Sequence, residues 1–230
     1  MQQKLKEYLS IVGLEIPTLE IEEKFIDNLN KVLETKPSTN EDVEKLLSYK
    51  VPKLTPDGSC SIVDELDPIR YNLKQTLWEN NFVDNEIYDL VYKLDKVIEF
   101  LQNEIGADWT GIYKKLNTAS GQALVKLAYR GSPSRAEFPL TETFAEHSNN
   151  STVGLSGKAV LINSVHKHLE QGKPYYECDN KVQSELCVPI FSNSNEVIGI
   201  MDLESFKENF FDDEKIIKIS SACTLLSNNF

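Results

Sequence analysis

The spacing of apolar residues along this chain changes period near residue 106. Before that point it is helical. Ile21, Phe25, Leu29, Val32 and Leu33 fall on one helix face, and Val43, Leu46 and Leu47 on a shorter one. Ser38 followed by Glu41 reads as a capping box for the shorter helix. Pro52 and Pro56 end it, and Asp57-Gly58 marks a turn. Arg70 to Trp78 predicts another helix, with Leu73, Leu77 and Trp78 as its apolar side. The longest stripe runs from Ile87 through Leu94 and Leu101 to Ile105. Asp84 or Asn85 is placed to cap its start, and Gly106 to close it in a left-handed conformation.

Beyond Gly106 the pattern is that of strands. Trp109 to Tyr113 predicts a short strand, Asn117 to Gly121 a hairpin-like turn, Leu124 to Tyr129 a second strand and Phe138 to Leu140 a third. Residues 141–156, with Asn149-Asn150-Ser151 at their centre, read as a polar surface loop that would act as a lid if a pocket lay beside it. Gly157 to Ile162 is apolar again, and residues 163–180 form a second polar excursion. The two most strand-like segments follow, Ser184 to Phe191 and Val197 to Glu204, joined by Asn193-Ser194-Asn195. A last helix starts near Asp212, with Ile216, Ile219, Cys223 and Leu226 on one stripe and three acids in its first turn, where the helix dipole favours them. Strands in the middle with helices before and after predict an α+β fold, a central antiparallel sheet flanked by helices. Residues 1–82 form a helical N-terminal extension in this reading, and residues 83–230 the main domain.

The last two strands carry acids that strands so apolar normally exclude, because burying an unpaired charge is costly. Alternation puts Glu185 and Cys187 on one face of the first, and Asp202 and Glu204 on one face of the second. If the strands pair with those faces coincident, the acids line a pocket together with a thiol. Composition narrows the ligand. The chain has 36 acidic against 24 basic side chains, a net charge of −12. That argues against nucleic acid and anionic membrane surfaces as partners. No apolar run is long enough to span a bilayer and no secretory signal opens the chain, which predicts a cytoplasmic protein. The cysteines, Cys60, Cys178, Cys187 and Cys223, are expected to be reduced. His166 and His168 lack a surrounding ligand set for zinc, and Arg130 to Arg135 reads as a solvated turn.

From Ala107 onward the chain resembles a GAF domain, and within that superfamily the free methionine-(R)-sulfoxide reductases. The pieces that carry the likeness are Ala107-Asp108-Trp109-Thr110-Gly111-Ile112-Tyr113, Cys178-Asp179, Ser184-Glu185 and Asp202-Leu203-Glu204. The resemblance implies that Cys178 attacks the sulfoxide sulfur. It implies that Glu185, Asp202 and Glu204, with Asp179 beside the thiol, bind the amino group or supply a proton, and that Trp109 and Tyr113 wall the methyl sulfoxide. It further implies a free amino-acid-like ligand, no cofactor, thioredoxin as reductant and a homodimer. Ser156 stands where the family carries its resolving cysteine. Cys187, Cys60 or an external thiol would then reduce Cys178. A GAF module that binds a small ligand in the same pocket without turnover is the alternative, since the fold serves many functions.

Overall fold

Before Gly106 the chain is mostly helical, and the strands of the main sheet all follow it. The computed structural model describes residues 1–54, 65–176, 179–227 and 229–230. The N-terminal part holds α1 (Gln2–Val12), α2 (Glu23–Leu33), α3 (Glu41–Glu44), a two-stranded ribbon of β1 (Ser48–Tyr49) and β2 (Tyr71–Asn72), then α4 (Leu73–Glu79) and the long α5 (Asp84–Ile105). There follow β3 (Trp109–Thr118), β4 (Gly121–Arg130), β5 (Glu137–Pro139), α6 (Glu142–Ala145), α7 (Asn149–Ser156), β6 (Val160–Ile162), α8 (Val165–Glu170), β7 (Ser184–Phe191), β8 (Val197–Ser205) and α9 (Asp213–Leu226). The fold is α+β, as the periodicity predicts. Its antiparallel sheet runs β5-β4-β3-β8-β7-β6, so β3 and β8, far apart in sequence, are central neighbours.

Each central strand alternates between two faces. Ile112, Leu186, Val188, Met201 and Leu203 point to one side and join a single apolar core with α5 and α9. The residues before 83 share that core: Leu5, Leu9, Leu29 and Leu77 are buried in the same cluster. α1 packs on α9, and α2 on both α5 and α9, so the apolar stripes of the two long helices are covered within one chain. The Tyr8 hydroxyl donates to the Pro189 carbonyl at 2.7 Å, and its ring meets Phe191 edge-on. The Ala159 N–H donates to the Val12 carbonyl at 2.9 Å. Removing the Tyr8 hydroxyl by Tyr8→Phe deletes its bond to Pro189 and the one it shares with the buried Cys223 thiol, and should cost about 1–2 kcal/mol, read as a lower urea midpoint at unchanged slope.

Several local expectations need correction. α3 has Asn40 as its N-cap with no side-chain cap bond; in place of a Ser38–Glu41 box, Thr39 Oγ1 accepts the Asp42 N–H at 3.4 Å and donates to the Asp42 carboxylate at 3.0 Å. α5 is capped at Val83, whose N–H is accepted by Glu86 at 3.1 Å; Asp84 instead accepts the Trp78 indole N–H at 2.7 Å. Gly106 does take the left-handed conformation, with φ 73°. α1 was not foreseen, and the polar stretches 141–156 and 163–180 hold α6, α7 and α8 rather than loop alone. Among the described residues no helix is long and apolar enough to cross a membrane.

Candidate functional site

The register of β7 on β8 sets Glu185 directly across from Glu204, and Cys187 across from Asp202. On the other side of β8, β3 places Trp109 across from Glu204 and Gly111 across from Asp202. The two faces therefore coincide, and the acids stand as near neighbours on the side of the sheet away from the main core. Like charges directly opposite each other oppose folding, so something must compensate them.

Part of the compensation comes from α7, which lies over this face. Its N-cap Ser148 accepts the Ser151 N–H, and the next two residues reach down to the acids. Asn149 Nδ2 donates to Glu185 Oε1 at 3.0 Å, and Asn150 Nδ2 to Asp202 Oδ2 at 3.2 Å. The positive end of the helix dipole adds a favourable field. The Tyr175 hydroxyl also bonds Glu185. Compensation is incomplete. Burial holds the Glu185 carboxyl above its usual range, and the bonds from Tyr175 and Asn149 pull the other way. Asp202 is raised well above its usual range by burial, then by the charges of Glu185 and Glu204. Among the described residues, Asp202 Oδ1 and Asn150 Oδ1 are buried without a hydrogen-bond partner.

These groups enclose a cavity of about 20 Å³, room for about one water. Its aromatic wall is Trp109, Tyr113, Phe138 and Tyr176. The Trp109 ring lies over Gly111 and against Gly131, with its indole N–H on the Ser132 carbonyl at 3.0 Å. Tyr113 and Phe138 meet edge to face, with centroids 5.5 Å apart. Arg135 donates to the Tyr176 hydroxyl at 3.1 Å and stacks on Phe144, fixing that side of the wall. Ser134, Ser148, Asn149 and Asn150 complete the lining beside Glu185, Asp202 and Glu204.

The structure thus brings Trp109, Tyr113, Glu185, Asp202 and Glu204 together at one cavity. Cys187 is wholly buried next to it and does not line it; burial, then the charges of Asp202 and Glu185, push its thiol well up. Asp179 does not line the cavity either. It is buried in a turn, where its carboxylate accepts the Lys181 N–H at 3.0 Å. Cys178 and Cys60 lie outside the described residues. Asp108, beside Trp109, anchors the end of β8 by accepting from Ser205 Oγ and the Phe206 N–H. His166 and His168 sit on α8, where His166 faces Glu170 at 3.2 Å and His168 faces the Pro174 carbonyl. No group of metal ligands forms among the described residues. Asn149 and Asn150 were missed as site residues. The signal available was Ser148, a good N-cap set five positions before the buried Val153.

No curated protein matches the sequence. Among solved structures, a type II free methionine-R-sulfoxide reductase from Thermoplasma acidophilum aligns at 22% identity, covering 63% of this chain and 94% of its own, with a TM-score of 0.54. A free methionine-R-sulfoxide reductase from Neisseria meningitidis, in complex with its substrate, aligns at 19% identity over 68% of this chain and 84% of its own, with a TM-score of 0.51. A protein described as a GAF sensor, from Burkholderia vietnamiensis, aligns at 18% identity over 68% and 88% of the two chains, also with a TM-score of 0.51. At such identities the likeness is one of fold. In sequence, the GAF domain model matches residues 94–228, more than half of the chain and every described residue of the cavity wall, and the chain belongs to the GAF domain family.

Proposed function

We propose that the protein binds a small free molecule with a primary ammonium group, of the amino-acid kind, in the acidic cavity. One observation carries this reading: among the described residues Asp202 Oδ1 and Asn150 Oδ1 are buried acceptors with no donor, in a cavity lined by three carboxylates. An ammonium group brings three donors and one positive charge, which answers both deficits. The aromatic wall then takes the apolar part of the ligand. An amino acid is larger than the cavity in this structure, so the bound form has a wider pocket.

The second reading is turnover, reduction of free methionine-(R)-sulfoxide by Cys178. It is favoured by Tyr176, which lines the cavity only two positions before Cys178 in the chain. The chemistry balances: the Cys178 thiol takes the sulfoxide oxygen and becomes a sulfenic acid, and methionine leaves. A second thiol condenses with the sulfenic acid, releasing water, and thioredoxin reduces the disulfide. A carboxyl raised by burial, as Asp202 is, supplies the proton that the leaving oxygen needs. Cys187 is a poor resolving thiol while it stays buried and protonated, which favours an external one.

Calorimetry with L-methionine-(R)-sulfoxide, L-methionine and the des-amino analogue tests the binding step. Both amino acids should bind and the des-amino compound should not, and Glu185→Gln should weaken binding by about 10–100-fold, the usual worth of a charge-assisted bond. Equal binding of the des-amino analogue would sink the ammonium assignment. NADPH consumption coupled through thioredoxin, in wild type and Cys178→Ser, separates turnover from binding alone.

A further inference from the structure

Tyr129 stacks on Trp109 at the edge of the acidic cavity, with centroids 6.3 Å apart, and it also lines a second, larger cleft. That cleft measures about 340 Å³ and lies where the segment around β1 meets α5 and β4. Its floor is apolar: Val91 of α5, with Leu127 and Ala128 of β4, are all buried. Its rim is cationic. Lys45, Lys50, Arg70 and Arg130 line it against a single acid, Asp95.

The charges are not spent on one another. Asp95 pairs with Arg130 at 2.7 Å, and Glu99 adds a weaker pull on the same guanidinium. Lys45, Lys50 and Arg70 have no carboxylate partner among the described residues. Arg70 is nevertheless held in place, since it donates to Ser48 Oγ at 3.1 Å and to the Ser48 carbonyl. Both Arg70 and Arg130 act on the Tyr129 hydroxyl, favouring its charged form against the effect of burial. A surplus of three positive charges around one cleft runs against a chain of net charge −12. A solvated cationic face needs no apolar floor and no fixed guanidinium. A site for an anion with an apolar body needs both.

We propose that this cleft binds a small organic dianion of the phosphate-monoester class. Arg70, Lys45 and Lys50 meet the phosphate, and Val91, Leu127 and Tyr129 carry the organic part. The cleft is built jointly by residues before 83 and by the sheet, so a GAF domain without this N-terminal segment would lack it. The site is independent of the acidic cavity, which would repel such a ligand.

Phenyl phosphate is a suitable probe, titrated by calorimetry into the full chain at low and at high salt. The expected result is saturable binding at one site, weakened by salt, with roughly tenfold loss for each of Arg70→Gln and Lys50→Gln. Both positions are exposed, so both variants should fold, which circular dichroism checks. Glu185→Gln should leave this binding unchanged. Phenol should fail to bind, and inorganic phosphate should bind more weakly because it gains nothing from the floor. Absence of saturable binding would overturn the proposal. So would binding unaltered in the Arg70→Gln, Lys50→Gln double variant, or inorganic phosphate binding as tightly as its phenyl ester.

Discussion

Gly111→Ala should cost about 3 kcal/mol, the upper end of the range for overpacking a buried site. A Cβ at residue 111 would lie 2.2 Å from Trp109 Cη2 and 2.7 Å from Cζ3, well inside contact distance. The ring has little room to retreat. On its other side Gly131 already touches it, so that a Cβ there would lie 2.5 Å from Trp109 Cδ1. The indole N–H is fixed to the Ser132 carbonyl, and Tyr129 stacks on the ring. A methyl group at 111 therefore forces the indole out of its slot, with loss of that hydrogen bond and of much of the ring's burial. The aromatic wall of the acidic cavity goes with it. Urea unfolding measures the cost, and a red shift in tryptophan emission reports exposure of the ring. The cause is isolated by repeating the substitution in a Trp109→Leu background, where it should cost much less. Equal cost in both backgrounds would mean that the ring is not what Gly111 accommodates.

This pair of residues also shows what the sequence could disclose. That Glu185 shares a face with Cys187, and Asp202 with Glu204, follows from strand alternation alone. So does the α+β class, from the change of period at Gly106. Which strand pairs with which does not follow, because backbone hydrogen bonds carry no side-chain signature. The meeting of Trp109 with Glu204, nearly a hundred residues later, became visible only through the β3–β8 register. The helix α7 was hidden for a different reason. Asn149-Asn150-Ser151-Thr152 contains poor helix formers and no apolar stripe. The segment is helical because Ser148 caps it, Val153 is buried, and its asparagines find the acids of β7 and β8 as partners. Those partners are tertiary, so local propensity could not report them. The N-terminal extension was legible as helical but not as part of the main core. Its helices cover the apolar stripes of α5 and α9 within the chain, a tertiary contact that spacing along the sequence does not report.

Asp202→Asn should stabilise the protein at pH 8 and leave its stability at pH 4 nearly unchanged. Burial and the charges of Glu185 and Glu204 raise the Asp202 carboxyl well above its usual range in the folded chain. A group whose folded pKa lies above its unfolded one binds its proton more tightly when folded. Its contribution to stability is full below the unfolded pKa, about 4 for an aspartate, and is lost as pH rises through the folded value. Glu185 is raised in the same direction, so the cluster as a whole opposes folding at neutral and alkaline pH. Asparagine removes the titration at 202 while keeping an acceptor for Asn150 Nδ2. The gain at pH 8 should be about 1–3 kcal/mol, the cost of a buried polar group left without a partner. Each kcal/mol raises the midpoint of thermal unfolding by about 2–4 °C for a chain of this size. Thermal scans of wild type and variant across that pH range would show the two curves converging toward acid. Parallel curves would mean that Asp202 titrates normally. The same variant should bind an ammonium ligand less tightly, because the charge that destabilises the empty cavity is one that the ligand is proposed to neutralise. Stability and affinity should therefore move in opposite directions, whereas a purely structural role for Asp202 would leave affinity unmoved.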